Sequence, residues 1–289
     1  MMTPEQRYVF DSAGYLHLKN VLDEEELRGA QEAADRYINT PHEEMPAGFQ
    51  YMQTDAFHHH SRGFAFDKAL ERLVTHKVIW PIINELTANK PGFLRGSLMH
   101  DAHDCGYLYL HSIREQMRDG LGFSRDIHWT QPYSETIYCD FFNIFWYFDD
   151  VLPGDGGLLL IPGSHKTKLK WPESISETMA KTGYDYEKCC IDNSFPFGMV
   201  NVTPKAGDVV IASDQIVHGS LKWKPKDRSR RFLVLRYAPQ YMLAWMNDQD
   251  ITLPKEVIER LSPETRELLA KDQLGHTKGI AERPNLVLS

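Results

Sequence analysis

The spacing of hydrophobic and polar positions changes partway along this chain. Up to residue 92 the apolar residues recur mainly at helical intervals. Asp23 followed by Glu26 reads as a capping box, with Leu22 and Leu27 at the staple positions. Leu27, Ala30, Ala34 and Tyr37 then fall on one apolar stripe. Pro41 and Pro46 end that helix and open a loop. A second helix is predicted from near Asp67 through Leu70, Leu73 and Val74, with Pro81 kinking or restarting it. From Phe93 the pattern is that of strands: LRGSLM, YLYLH, TIYCDFFNIFWYF, GLLLI, GDVVIA and RFLVLRY, punctuated by Gly, Pro and Asp. FFNIFWYF predicts a central strand covered on both faces, with Asn143, Phe145 and Tyr147 on one of them, lining a pocket. Ser262-Pro263-Glu264 is a helix start, with Ser as N-cap and Pro at the first position. The tail from Gly275 reads as irregular.

Helices leading into a run of antiparallel strands predict an α+β protein built on a double-stranded β-helix (jelly roll), with flanking N-terminal and C-terminal helices. The expected layout is one domain over 1–289: a mainly helical part at 1–92, a jelly-roll core at 93–240 and a helical tail at 241–289. A length of 289 residues and 42% hydrophobic content suit one such domain. The formal charge of -8 and the lack of a basic run argue against nucleic acid and anionic membranes as partners. A small anionic substrate stays compatible, because a local patch can oppose the global sign. The opening MMTPEQRYVF lacks the basic region and apolar run of a signal peptide. The longest apolar run, around Leu158 to Ile161, is far too short to span a bilayer. The four cysteines, Cys105, Cys139, Cys189 and Cys190, include no CxxC pair. A reduced, cytoplasmic protein with buried thiols is expected.

The chemistry concentrates between Asp149 and Tyr237. There, DDVLPGDGGLLLIPGSHK is followed by an insert, then AGDVVIASDQIVHGS, then RSRRFLVLRY. His218 sits just past a strand, and arginines cluster about ten residues later. A histidine here could be a hydrogen-bonded core residue. The strand before it and the Gly-Ser after it favour a metal-binding pocket inside a β-barrel.

At these residues the chain resembles the phytanoyl-CoA dioxygenase family, non-haem iron, 2-oxoglutarate-dependent oxygenases on a jelly-roll fold. FDSAGYLHLKNVLDEEEL resembles the family's opening segment, DGGLLLIPGSHK its central turn, and AGDVVIASDQIVHGS with Arg230 its distal motif. The resemblance implies Fe(II) held by an early His-x-Asp and a late histidine, with 2-oxoglutarate and O2 as co-substrates. It also implies an arginine pairing with the far carboxylate of 2-oxoglutarate. His218 matches the late ligand, and Ser220 is placed to bond the same carboxylate. Arg230, twelve residues beyond His218, matches the arginine. Arg231 and Arg228 are fallbacks, since a one-residue offset reverses the face.

The early motif departs from the family pattern. The family spacing points to His111 in YLYLHSIREQ, sixteen residues after Arg95. The expected carboxylate position is Ile113, and His-x-Asp occurs nowhere in the chain. His42-x-Glu44 lies in the N-terminal loop, before the barrel. His128, in DIHWTQ and 34 residues before Pro162, competes with His111. His111 is preferred because it ends a clean strand. Three options stay open: two histidines with water or halide in the vacant place; a third ligand from Glu115, Asp126 or His128; or a fold that has lost its metal.

Other histidines have plainer readings. His165 is expected to stabilise a turn. His58, His59 and His60 are expected in a loop at the substrate entrance. His100, Asp101, His103 and Asp104 form either a polar hairpin turn or, if on a strand, an alternative metal site. The expected function is Fe(II)/2-oxoglutarate-dependent oxidation of a small molecule: hydroxylation or related C–H oxidation, with halogenation compatible with the missing Asp. The alternatives are a non-catalytic jelly-roll binding protein with a degenerate metal site, and a three-histidine metalloenzyme (His111, His128, His218) without 2-oxoglutarate. Substrate contacts are expected from the Pro41–Gly63 loop and the Lys166–Ser194 insert.

Overall fold

In a computed structural model of the chain, the residues described are 1–53, 58–106, 110–112, 128–129, 136–167, 186–192, 194–195, 198–240 and 253–269. The chain opens with helix α1 (Pro4–Ala13), whose Thr3 and Gln6 form a reciprocal capping box. Gly14, at φ 83, ends it in the left-handed conformation that a Cβ disfavours. That turn delivers β1 (Tyr15–Leu18). Helix α2 (Glu24–Asn39) is capped by Asp23 and Glu26, and it buries Ala30, Ala33, Ala34 and Tyr37. A hairpin, β2 (Tyr51–Gln53) and β3 (His58–His60), follows. Helix α3 (Lys68–Glu71) is capped by Asp67, and α4 (Trp80–Leu86) carries Pro81 in its first turn. The second predicted helix is thus two short ones, restarted at the proline.

Residues 1–92 also contain three short strands among the helices. Each has only three or four residues, too few for alternation to register in the sequence. They exist because the larger sheet completes them: β1 pairs with Val209–Ala212, and β3 pairs with Leu98 and Met99. The loop expected at His58–His60 is therefore a strand.

The remaining strands are β4 (Pro91–Asp101), β5 (His128–Trp129), β6 (Tyr138–Cys139), β7 (Phe142–Tyr147), β8 (Gly157–Leu160), β9 (Val200–Asn201), β10 (Val209–Ser213), β11 (His218–Leu221) and β12 (Arg230–Pro239). They form a seven-stranded sheet in the order β1-β10-β7-β12-β4-β3-β2, a three-stranded sheet β11-β8-β9, and the pair β5-β6. All pairings are antiparallel. The stretch read as one strand, TIYCDFFNIFWYF, is divided at Asp140 and Phe141 between β6 and β7. Strand β7 is central and buried along its whole length, as FFNIFWYF predicts.

Two apolar layers follow from strand alternation. Leu98, Ile144, Trp146, Val209, Ile211, Leu233 and Leu235 turn outward and pack under the helices. Phe145, Tyr147, Val210, Ala212 and Phe232 turn inward and meet Leu158 and Leu160 of the small sheet. This is the jelly-roll arrangement: two sheets face each other around an interior, with helices covering the outer face of the larger one. Helices Lys255–Arg260 and Pro263–Leu269 follow the last strand, and Ser262 Oγ accepts the Thr265 backbone N–H at the second helix start. No described helix is long and apolar enough to cross a membrane.

Candidate active site

Strand β11 sets the first two positions. His218 and Ser220 are two residues apart, so they share one face. Their cross-strand partners, Leu160 and Leu158, belong to the interior layer, so that face is the interior one. The His218 ring is fixed from behind: Nδ1 donates to the Ile216 carbonyl at 2.8 Å. That bond selects the tautomer with a lone pair on Nε2, the arrangement a metal ligand needs. Burial, and then the neighbouring His111, push the His218 pKa down to about 4. The imidazole is therefore neutral at physiological pH.

His111 lies beside it. The two residues exchange backbone hydrogen bonds, His111 N–H to His218 carbonyl at 2.9 Å and His218 N–H to His111 carbonyl at 3.0 Å. Their ring centroids are 4.3 Å apart. His128 is on β5, paired with Cys139 of β6. Its side chain, Ile113, Glu115 and Asp126 lie outside the description. Among the described residues, no three His, Cys, Asp or Glu side chains converge as a metal-binding group.

Arg230 opens β12, and its register places it inward: it alternates with Phe232 and stands opposite Asp101. The guanidinium is 2% exposed and ion-paired with the Asp101 carboxylate. It lies over the Phe232 ring at 4.6 Å and the Trp223 ring at 5.4 Å. Its Nη2 is 3.4 Å from Ser220 Oγ, which joins it to the His218 face. Gly157 sits beneath it, where a Cβ would overlap Nη1. Arg230 Nε is buried with no hydrogen-bond partner. A buried charged donor left unmatched is costly, so the site suits a further carboxylate oxygen.

The fallback arginines are engaged elsewhere. Arg228 pairs with Asp155 and donates to the Asp150 carbonyl. Arg231, on the opposite face, pairs with Asp149 and Asp35. Of the three, Arg230 alone reaches Ser220.

The other candidates resolve as structural groups. His165 Nε2 bonds the Asp11 carbonyl at 2.9 Å, tying the Gly163–Ser164 turn to α1. His100 and Asp101 end β4, and Asp104 adopts φ 66 in the turn that follows. His103 then reaches the Lys224 carbonyl and Asp104 reaches Lys222. The strand geometry needed for an alternative metal site is absent there. Cys105, Cys139 and Cys189 are buried free thiols.

Sequence reasoning missed two interior residues, Arg95 and Arg236, and the pairing of Asp101 with Arg230. Asp101 is the Arg230 partner. Arg95, Arg236 and Asn143 form a row in register across β4, β12 and β7. Counting by twos from Arg230 along β12 points to Arg236, and only the pairing register points to Arg95 and Asp101.

Comparisons with known proteins agree with this fold. The dioxygenase af480 of Aspergillus fumigatus is 28% identical over 134 residues, 46% of this chain and 37% of that protein. The chain thus spans well under half the length of that relative. HygX of Streptomyces hygroscopicus, with nickel and 2-oxoglutarate bound, superposes with a TM-score of 0.62 at 22% identity, covering 83% of this chain and 89% of HygX. HygX has also been seen with iron, and with hygromycin B. EctD of S. alaskensis gives a TM-score of 0.61 at 19% identity, covering 82% and 77%. Residues 10–232 match the profile of phytanoyl-CoA dioxygenase (PhyH), most of the chain, including His218 and Arg230, and the protein belongs to that family.

Proposed function

We propose that this protein is an Fe(II)- and 2-oxoglutarate-dependent oxygenase acting on a small molecule. The observation that carries the reading is the joint placement of His218, Ser220 and Arg230 around one interior. The metal ligands are His218 through Nε2 and His111. His128 is the candidate for a third. Arg230 and Ser220 take the far carboxylate of 2-oxoglutarate. The unpartnered Nε of Arg230 and the pinned Nδ1 of His218 fit those roles.

Iron and 2-oxoglutarate, when bound, would activate O2, which is the oxidant, and the protein contributes binding and orientation. Ile216 holds the His218 ring. Phe232 and Trp223 keep water from the Arg230 guanidinium, which strengthens its charge-assisted bond to a carboxylate. Phe145, Val210 and Leu160 provide an apolar wall that excludes bulk water. HygX, of the same fold, holds 2-oxoglutarate and, in another structure, hygromycin B. That supports a small-molecule substrate. Hydroxylation or a related C–H oxidation is the proposed outcome, and halogenation is compatible with Ile113 at the carboxylate position.

The test is anaerobic. Apoprotein receives Fe(II), then 2-oxoglutarate, and the visible charge-transfer band of the chelate is recorded. The reading expects the band in wild type and its loss in His218→Ala. No band in wild type at saturating 2-oxoglutarate favours instead a non-catalytic jelly-roll protein.

A further inference from the structure

Ser220 and Arg230 belong to different sheets. Ser220 lies on β11 of the three-stranded sheet, and Arg230 opens β12 of the seven-stranded one. No strand pairing links them, yet Arg230 Nη2 is 3.4 Å from Ser220 Oγ. Their chain link is the loop 222–229, between the end of β11 and the start of β12. A loop of this length has many conformations of similar energy. Something must select the one that sets the two side chains together.

Trp223 is placed to do so. It lies three residues past Ser220, near the start of the loop, and its side chain is fully buried. Its indole N–H donates to the Arg228 carbonyl at 2.9 Å. That bond closes the loop across five residues and fixes the chain two residues before Arg230. The Trp223 backbone is held as well. Its N–H donates to the Cys105 carbonyl at 2.6 Å, and its carbonyl accepts the Asp104 N–H at 2.8 Å. Those bonds tie it to the turn that follows Asp101, the ion-pair partner of Arg230.

Arg228 anchors the other end. Its guanidinium pairs with Asp155 and donates to the Asp150 carbonyl at 2.9 Å. Lys224 N–H donates to the Asp155 carbonyl at 2.9 Å. The loop is thereby fastened to the turn before Gly157, the residue beneath Arg230. Both guanidinium groups lie over the Trp223 ring, Arg228 at 5.1 Å and Arg230 at 5.4 Å from its centroid. One side chain thus joins the segments that carry Ser220, Asp101 and Arg230.

We propose that Trp223 is a positioning residue: its bond to the Arg228 carbonyl sets Arg230 against Ser220, and so sets the affinity for the far carboxylate of 2-oxoglutarate. The inference rests on the oxygenase reading, in which Arg230 and Ser220 take that carboxylate. It differs from shielding of Arg230 by the ring. Shielding needs only an apolar ring, whereas positioning needs the N–H.

Trp223→Phe separates the two, because it keeps an aromatic ring and removes the donor. Anaerobic Fe(II) protein is titrated with 2-oxoglutarate and with 2-oxopentanoate, which has a methyl group in place of the far carboxylate. The charge-transfer band reports binding of either acid. Nickel affinity without any 2-oxo acid is measured by calorimetry. Trp223→Phe should weaken 2-oxoglutarate about five- to tenfold. Nickel and 2-oxopentanoate affinities should stay within about twofold of wild type. Trp223→Leu, which lacks both ring and donor, should weaken 2-oxoglutarate about tenfold or more, and the Phe variant guards against a folding defect. Unchanged 2-oxoglutarate affinity in Trp223→Phe overturns the proposal. So does an equal loss for both acids, or a parallel loss of nickel affinity, since either marks a general structural role. Wild type binding both acids equally well overturns it too, because the far carboxylate is then not read. If 2-oxopentanoate gives no band, the nickel comparison decides. If wild type forms no band with 2-oxoglutarate, the oxygenase reading fails first, and the two failures are distinguishable.

Discussion

Asp101 stands directly opposite Arg230 across β4 and β12, carboxylate against guanidinium, with both residues nearly fully buried at 3% and 2% exposed. In the ligand-free chain this pair neutralises a charge that could not otherwise stay in the interior. A 2-oxoglutarate carboxylate at Arg230 meets a neighbour that already holds part of the same donor set. Asp101→Asn should therefore destabilise the ligand-free protein by about 3–5 kcal/mol, the cost of a buried unpaired charge. The variant should then gain more from 2-oxoglutarate than wild type does, because the ligand replaces the missing anion. Thermal unfolding with and without 2-oxoglutarate reads both effects. Equal stabilisation of the two proteins would show that Asp101 and the co-substrate do not share Arg230.

Gly157 makes room for the same guanidinium. It adopts φ +87, and a Cβ there would overlap Arg230 Nη1. Gly157→Ala should cost about 1–3 kcal/mol in backbone strain. It should also displace Arg230 and weaken 2-oxoglutarate binding roughly tenfold, since a loss near 1.4 kcal/mol is one decade. Calorimetric titration of 2-oxoglutarate into the metal-loaded variant checks this. Unchanged affinity would mean that Arg230 moves aside without consequence for the ligand.

Much of this arrangement was legible in the sequence. Asp23 and Glu26 announced α2, and the Val209–Ser213 run announced a strand of the large sheet, with His218 and Arg230 as the candidate site residues. The reason is local: capping and strand alternation act over a few neighbouring residues. What escaped was set by long-range pairing. β1 and β3 exist as strands only because β10 and β4 lie beside them. Arg95 joins the interior, and Asp101 meets Arg230, through register between segments many residues apart. No carboxylate metal ligand is assigned, because the family's His-x-Asp pattern has no counterpart here.

Two histidines compete as the ligand beside His218, and we propose His111. His111 is bridged to His218 through two backbone hydrogen bonds, with rings 4.3 Å apart. His111→Ala should abolish the Fe(II)–2-oxoglutarate band or reduce it at least about tenfold, the scale expected for loss of a metal ligand's contribution. His128→Ala should retain the band, with at most a shift in its position if His128 is a third ligand. Circular dichroism confirms that each variant is folded. A band lost in His128→Ala but kept in His111→Ala reverses the assignment.

His60 makes acid stability a test of the β2–β3 hairpin. It is 2% exposed, packed on Tyr51 and Tyr37, and neither ring nitrogen has a hydrogen-bond partner. Burial, and then the neighbouring histidines led by His100, lower its pKa from 6.5 to about 4. Between those values the unfolded chain binds a proton that the folded chain does not, so this contribution favours folding above pH 6.5 and is lost as pH falls towards 4. The total is on the order of 3 kcal/mol. His60→Phe keeps an aromatic ring of similar shape and removes the titration. Urea unfolding at pH 7.5 and pH 5 should show wild type losing more stability than His60→Phe, with the difference growing as the pH drops. Parallel pH dependences in the two proteins would mean that His60 can take up a proton without opening the hairpin.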